Sequence, residues 1–183
     1  AAQAAFELTL SQLPEGGKDK VVALVDIGAT IMKINVLHNG ESVYTRDQPF
    51  GGNQLTQEIH NQFNLSSEES EIAKRSGNLP ENYKTDVLQP FFETLAIEVM
   101  RAIQFFYTST QYTEVHYIFI AGGCAVIPGL NEIIASRTQV STLIVNSFSN
   151  MELSSRIIPR QLNLDAPALL IACGLALRSF DPS

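Results

Sequence analysis

The feature that most constrains the fold is an unbroken apolar run closed by a small polar turn: Val21-Val22-Ala23-Leu24-Val25, then Asp26-Ile27-Gly28-Ala29-Thr30. Five branched or small apolar residues in a row read as a strand buried on both faces. A second run, Tyr117 to Ile120, closes on Ala121-Gly122-Gly123. Glycine lets a chain turn sharply at a strand end and approach a ligand, and N–H groups grouped at such a turn form a nest for an anion. Two buried strands that each end this way could hold a nucleotide, with N–H groups for phosphate at the first turn and glycine room for a flat base or ribose at the second.

The chemistry of the residues follows that division. A carboxylate placed directly after a buried strand, Asp26, suits a magnesium ion that it holds through water. The N–H groups around Gly28, Ala29 and Thr30 can face phosphate oxygens, and the Thr30 hydroxyl adds a donor. Gly122 and Gly123 permit a base or ribose to lie flat against the main chain. Glu71 and Lys74, three apart on one helical face, can bracket the nucleoside from the other side, with Arg75 beside them. Each motif also has a plainer reading: an Asp-x-Gly hairpin turn, a strand-to-helix turn, a solvated charged face. Gly51-Gly52-Asn53 at a helix start is either an anion site or, more simply, a turn followed by a cap.

Composition narrows the function classes. The 183 residues are 45% hydrophobic and 17% charged, a globular balance. With 12 basic and 19 acidic residues the net charge is −7, which argues against a basic face for nucleic acid or anionic lipid. No apolar stretch approaches the ~20 residues that span a bilayer. Cys124 and Cys173 are too few for a disulfide framework and read as buried thiols. His38, His60 and His116 have no cysteine or carboxylate at zinc-ligand spacing. No Ser/His/Asp, Cys/His or paired-carboxylate set stands out for other catalysis.

The pattern of elements reads as α/β. Ala1 to Leu13 is helix-like and Pro14-Glu15-Gly16-Gly17 breaks it. Val21 to Val25, Met32 to Leu37 and Ser42 to Thr45 form a meander, with Asn39-Gly40 as a two-residue hairpin turn. Helical spacing follows over Gln54 to Phe63, with Leu55, Ile59 and Phe63 on one face. Ser66 or Ser67 caps a helix through Lys74, and Ser76 to Lys84 is a polar loop. Leu88, Phe91, Phe92, Leu95, Val99, Ile103 and Phe106 mark a long amphipathic helix. Val115 to Ile120 is a strand, Pro128 to Arg137 a short helix, Thr142 to Val145 a strand. Asp165 is placed as N-cap of a last helix, with Pro167 just inside it and an end near Arg178. Apolar almost all round from Ala166 to Phe180, that helix is expected to be buried, part of its cover lying outside the chain. Because helical periodicity interrupts the β pattern, residues 51–84 are expected to form a smaller, mainly helical lobe inserted into a larger one, 1–50 and 85–183. No comparable phosphate turn precedes Asp26, so half of a two-lobed protein is expected, with the N-terminal half absent.

These residues resemble a known superfamily. Val25 to Thr30, Phe50-Gly51-Gly52-Asn53-Gln54-Leu55-Thr56 and Ala121-Gly122-Gly123 look like the FtsA/actin/Hsp70 superfamily of actin-like ATPases, whose lobes have a ribonuclease-H-like mixed sheet with flanking helices. Tyr44-Thr45-Arg46, Leu79-Pro80, Gln104-Phe105-Phe106, Asp165-Ala166-Pro167-Ala168-Leu169 and Gly174-Leu175-Ala176-Leu177-Arg178 look closely like its PilM family, over essentially the whole chain. That resemblance implies ATP and magnesium as cofactors, with Asp26, Gly28, Ala29 and Thr30 in the second phosphate turn and Gly122 and Gly123 in the adenosine turn. It implies Glu71 and Lys74 beside the nucleoside, and Gly174 where the last helix crosses beneath the cleft. It also implies a scaffold of type IV pilus assembly in the cytoplasm at the inner-membrane face, with the PilN cytoplasmic peptide bound through the missing half and pilus motor ATPases as partners. Weak ATPase activity would then belong to the intact protein, this chain alone being inactive. Two alternatives stay open: a sugar- or acetate-type kinase of the superfamily, for which no acceptor-side base is assigned, and an FtsA-like division protein, which needs a C-terminal amphipathic membrane helix.

Overall fold

A computed structural model describes residues 9–10, 12–149 and 151–177. The opening segment expected to be helical falls largely outside them, although Thr9 and Leu10 are helical. Five strands form one mixed sheet in the order β3-β2-β1-β4-β5: β1 (Val21–Ile27), β2 (Met32–His38), β3 (Glu41–Gln48), β4 (Tyr117–Ala121) and β5 (Ser141–Ile144). The meander β1-β2-β3 is antiparallel, and β4 and β5 add in parallel on the other side of β1. Asn39 and Gly40 both have positive φ (51° and 81°), the conformation a two-residue hairpin turn requires.

The central strand β1 alternates between two cores. Val21, Ala23, Val25 and Ile27 face one apolar cluster, whereas Val22 and Leu24 face another. The first is covered by α1 (Gly52–Phe63), α3 (Gln89–Ser109) and α4 (Leu130–Thr138). Leu95, Val99, Ile103 and Phe106, spaced by three and four along α3, are buried there. Leu55 and Ile59 of α1 belong to that same cluster, so the helical segment packs on the sheet as well as on α2 (Ser67–Ser76). On the second face lie Leu13, Leu37, Phe119, Val145 and Leu170.

Several boundaries depart from the sequence reading. α2 starts at Ser66 with a full capping box to Glu69, but a π-helical turn, Lys84–Leu88, precedes α3. Pro128 stands outside α4, which starts after Gly129 at φ 95°. Asp165 is not an N-cap. It ends α5 (Pro159–Asp165), a helix opened by proline at its first position, and its carbonyl accepts the N–H groups of Ala168 and Leu169 in the turn that follows. The last helix, α6, is Leu170–Leu177. It is buried on one side only: Leu170 and Gly174 are covered, whereas Leu175 is 49% exposed. The sequence beyond 177, including the expected end near Arg178, lies outside the described residues. Both cysteines are free; Cys124 is buried and Cys173 only half-buried. Among the described residues no helix is long and apolar enough to cross a membrane.

Candidate nucleotide site

Parallel pairing of β1 with β4 sets Asp26 opposite Ala121, so the Asp26 turn and the Gly122 turn lie side by side at the same end of the sheet. They touch rather than face each other across a gap. Gly122 has φ 87°, and a Cβ built there would lie 2.7 Å from Asp26 Oδ1 and would overlap the Ile27 carbonyl. Glycine is required at 122 because two strand ends converge on it, not because a ribose occupies its Cβ space. The Gly122 N–H donates to the Pro167 carbonyl (2.9 Å) and Ser147 Oγ to the Ala166 carbonyl (2.8 Å), which seats the segment before α6 against the turn. The neighbouring Gly123 is different: a Cβ there meets nothing within 4 Å. The open space lies at Gly123.

Asp26 follows Val22 and Leu24 onto the second sheet face. Burial pushes its carboxyl above the ordinary carboxylate range, and Lys33, its register partner on β2, pulls it down. No protein donor among the described residues bonds to it. In the turn that follows, the Gly28 N–H is engaged with the Ile31 carbonyl (3.1 Å). The N–H groups of Ala29 and Thr30, both exposed, have no protein acceptor among the described residues, and neither has that of Ile31.

The start of α1 is docked on this turn. Gly52 N–H donates to the Gly28 carbonyl (2.9 Å) and Asn53 N–H to the Ala29 carbonyl (2.8 Å). Those N–H groups are therefore engaged by protein, and the simple turn-and-cap account of Gly51-Gly52-Asn53 is the one the geometry supports. A Cβ on Gly51 would lie 2.6 Å from the Gly28 carbonyl oxygen, and one on Gly52 2.9 Å from Cys124 Sγ. Both glycines let backbone approach backbone.

Glu71 and Lys74 on α2 reach the same place. Lys74 Nζ donates to the Gly52 carbonyl (3.4 Å) and to Thr56 Oγ1 (2.8 Å), and pairs with Glu71 at 2.6 Å. Glu71 also accepts from Thr56 (2.8 Å) and Arg75 (3.0 Å). Partial burial alone would raise the Glu71 carboxyl, but these hydrogen bonds and the Lys74 charge outweigh it and hold it at about 2. Lys74 lies close enough to Cys124 to influence its thiol, which burial pushes up. Gly52 thus joins the turn at Gly28 to Lys74 on one side and to Cys124 on the other. All the expected residues gather at this end of the sheet, with Glu71 and Lys74 already engaged with each other and with Thr56. Sequence reasoning missed Thr56, Cys124 and the Pro167 carbonyl. A lone threonine, a cysteine among apolar neighbours and a main-chain oxygen carry no pattern that singles them out.

The donor set fits a magnesium nucleotide. A half-buried carboxylate without a donor suits a cation, two free N–H groups suit an anion, and the open space over Gly123 suits a flat group.

Comparison with known proteins agrees with this architecture. The sequence model of a family described as type IV pilus assembly protein PilM matches residues 1–180. Among solved structures the chain is similar to a PilM–PilN type IV pilus biogenesis complex, at 25% identity and a TM-score of 0.83, over 99% of this chain and 52% of that one. It shares its fold with the ethanolamine utilization protein EutJ from Carboxydothermus hydrogenoformans (21% identity, TM-score 0.66, 96% of this chain and 52% of that one). It does so too with MreB5 of Spiroplasma citri bound to AMPPNP (14%, 0.61, 96% and 57%). The chain spans about half the length of these structures. The fold is that of actin-like ATPases.

Proposed function

The chain belongs to the PilM family of type IV pilus assembly proteins, and on that premise we propose that it is one lobe of an actin-like, ATP-binding scaffold. In this reading the scaffold works in the cytoplasm at the inner-membrane face and links the pilus motor ATPases to the membrane platform. Residues 1–50 and 85–183 form the larger part of the lobe and 51–84 its smaller helical part. The rest of a two-lobed protein supplies the facing phosphate turn and receives the PilN cytoplasmic peptide.

The pilus role rests on one observation, the family match over nearly the whole chain. Nucleotide binding is supported by the fit of the residues. A bound magnesium ion neutralises phosphate charge. Asp26 holds its water shell, and the N–H groups of Ala29 and Thr30 meet phosphate oxygens. Gly123 leaves room for the nucleoside, and Glu71 with Lys74 stands beside it. No catalytic base is assigned, so hydrolysis, if any, belongs to the intact protein. Deleting the gene should abolish surface pili and twitching, with both restored by a plasmid copy. Normal piliation in the deletion strain would end this reading.

A further inference from the structure

Two of the short segments that carry the family resemblance, Tyr44-Thr45-Arg46 and Gln104-Phe105-Phe106, take no part in the nucleotide turns, yet the fold brings them together. Register places Tyr44 opposite Val36 and Arg46 opposite Ile34. Both side chains therefore project onto the sheet face that α3 covers. The Tyr44 ring packs on Phe106 (centroids 5.5 Å) and Phe105 (6.3 Å). The Arg46 guanidinium carbon lies 5.3 Å from the centre of the Phe105 ring. Phe106 is the buried anchor of this group, whereas Phe105 is 53% exposed.

A single exposed phenylalanine needs no explanation. The combination here does. Arg46 has no carboxylate partner among the described residues, although the chain carries seven surplus acidic charges. On α3, Glu98, about two turns before Phe105, is taken by Arg101 (2.7 Å) and Gln48 (2.7 Å). Tyr44 and Arg46 lie on β3, the edge strand. Its pairing with β2 is irregular only near Val36 and Leu37, so Tyr44 to Gln48 runs in regular register and presents an unpaired row of backbone groups outward. An edge of this kind is a template for another strand.

We propose that the edge of β3 and the Tyr44–Arg46–Phe105 surface together dock an extended segment of a partner protein that carries on one face a carboxylate with an apolar side chain two residues to either side of it. Main-chain hydrogen bonds to β3 provide the pairing, and every second side chain of the added strand meets this face. One carboxylate takes the forked N–H donors of Arg46, and the apolar side chains two residues before and after it cover Phe105 and Tyr44. Elsewhere the net negative chain repels an acidic segment, which confines it to this edge.

The test uses the full chain and fluorescein-labelled peptides of about ten residues in which threonine alternates with valine, one central valine being replaced by aspartate or by asparagine, followed by anisotropy. The aspartate peptide should bind about tenfold tighter than the asparagine peptide. Arg46→Gln should erase that preference, and Phe105→Ser should weaken the aspartate peptide about tenfold, both at unchanged Tm. Equal binding of the two peptides by the wild type, or no binding of either at millimolar concentration, would overturn the proposal. So would a concentration-dependent dimer abolished by Phe105→Ser, which would give the face to a second copy of the chain.

Discussion

Asp26 and Gly122 stand on neighbouring parallel strands, so close that a methyl group on Gly122 would lie 2.7 Å from the Asp26 carboxylate. The turn that follows β1 and the turn that follows β4 are thus one structural unit, and a change at the second is felt by the first.

Gly122→Ala should destabilise the protein by about 2–4 kcal/mol in urea unfolding, from backbone strain at φ 87° and overpacking against β1. Gly123→Ala, where nothing lies within 4 Å, should change stability by less than about 0.5 kcal/mol. Equal costs at the two positions would contradict the packing described.

Gly52→Ala should cost about 1–3 kcal/mol, because its methyl group meets Cys124 Sγ at 2.9 Å. Removing the sulfur should relieve this: the double variant Gly52→Ala, Cys124→Ala is expected to be more stable than the sum of the single changes by about 1 kcal/mol. Strict additivity would show that the two residues do not touch.

The two carboxylates of the site should behave oppositely with pH. Glu71 is held at about 2 by Lys74, Thr56 and Arg75, so its contribution is present above the unfolded value near 4.5 and lost as pH falls toward 2. Because the pair is partly exposed, Glu71→Gln should cost only about 0.2–1 kcal/mol at pH 7, and wild type and variant should converge by pH 2. Asp26 is raised by burial, so its ionisation opposes folding as pH rises through its folded pKa. Asp26→Asn should therefore match or exceed the wild-type Tm at pH 7 without nucleotide, the difference vanishing below pH ~4. Melting curves across pH 2–7 check both.

Much of this architecture was legible in the sequence because its signals are local and strong. The double-sided apolar run of β1, Asn39-Gly40, and the three-and-four spacing of α3 each point to one structure. The end of the chain was not legible. Asp165 followed by Pro167 is a good helix-start signal, but the carbonyl of Asp165 is engaged in a turn and α5 had already begun at Pro159. At the site, types and places were readable but reasons were not. Gly122 looked like room for a ligand, and its tightness depends on β1 lying beside it, a long-range fact. Gly51 and Gly52 read most simply as a turn followed by a cap, as the fold has them, but only the fold shows that their neighbours are the Gly28 and Ala29 carbonyls and Cys124.

The central claim is that Asp26 and Gly123 serve opposite ends of one nucleotide. Calorimetry on the intact two-lobed protein tests it most directly, titrating magnesium–ATP and adenosine into wild type, Asp26→Ala and Gly123→Val. Asp26→Ala should weaken magnesium–ATP about tenfold or more while leaving adenosine unchanged, since a hydrogen bond from a metal-bound water to a charged carboxylate is worth about 1.5–3 kcal/mol. Gly123→Val should weaken both ligands. Tight magnesium–ATP binding that is indifferent to both substitutions would contradict the account.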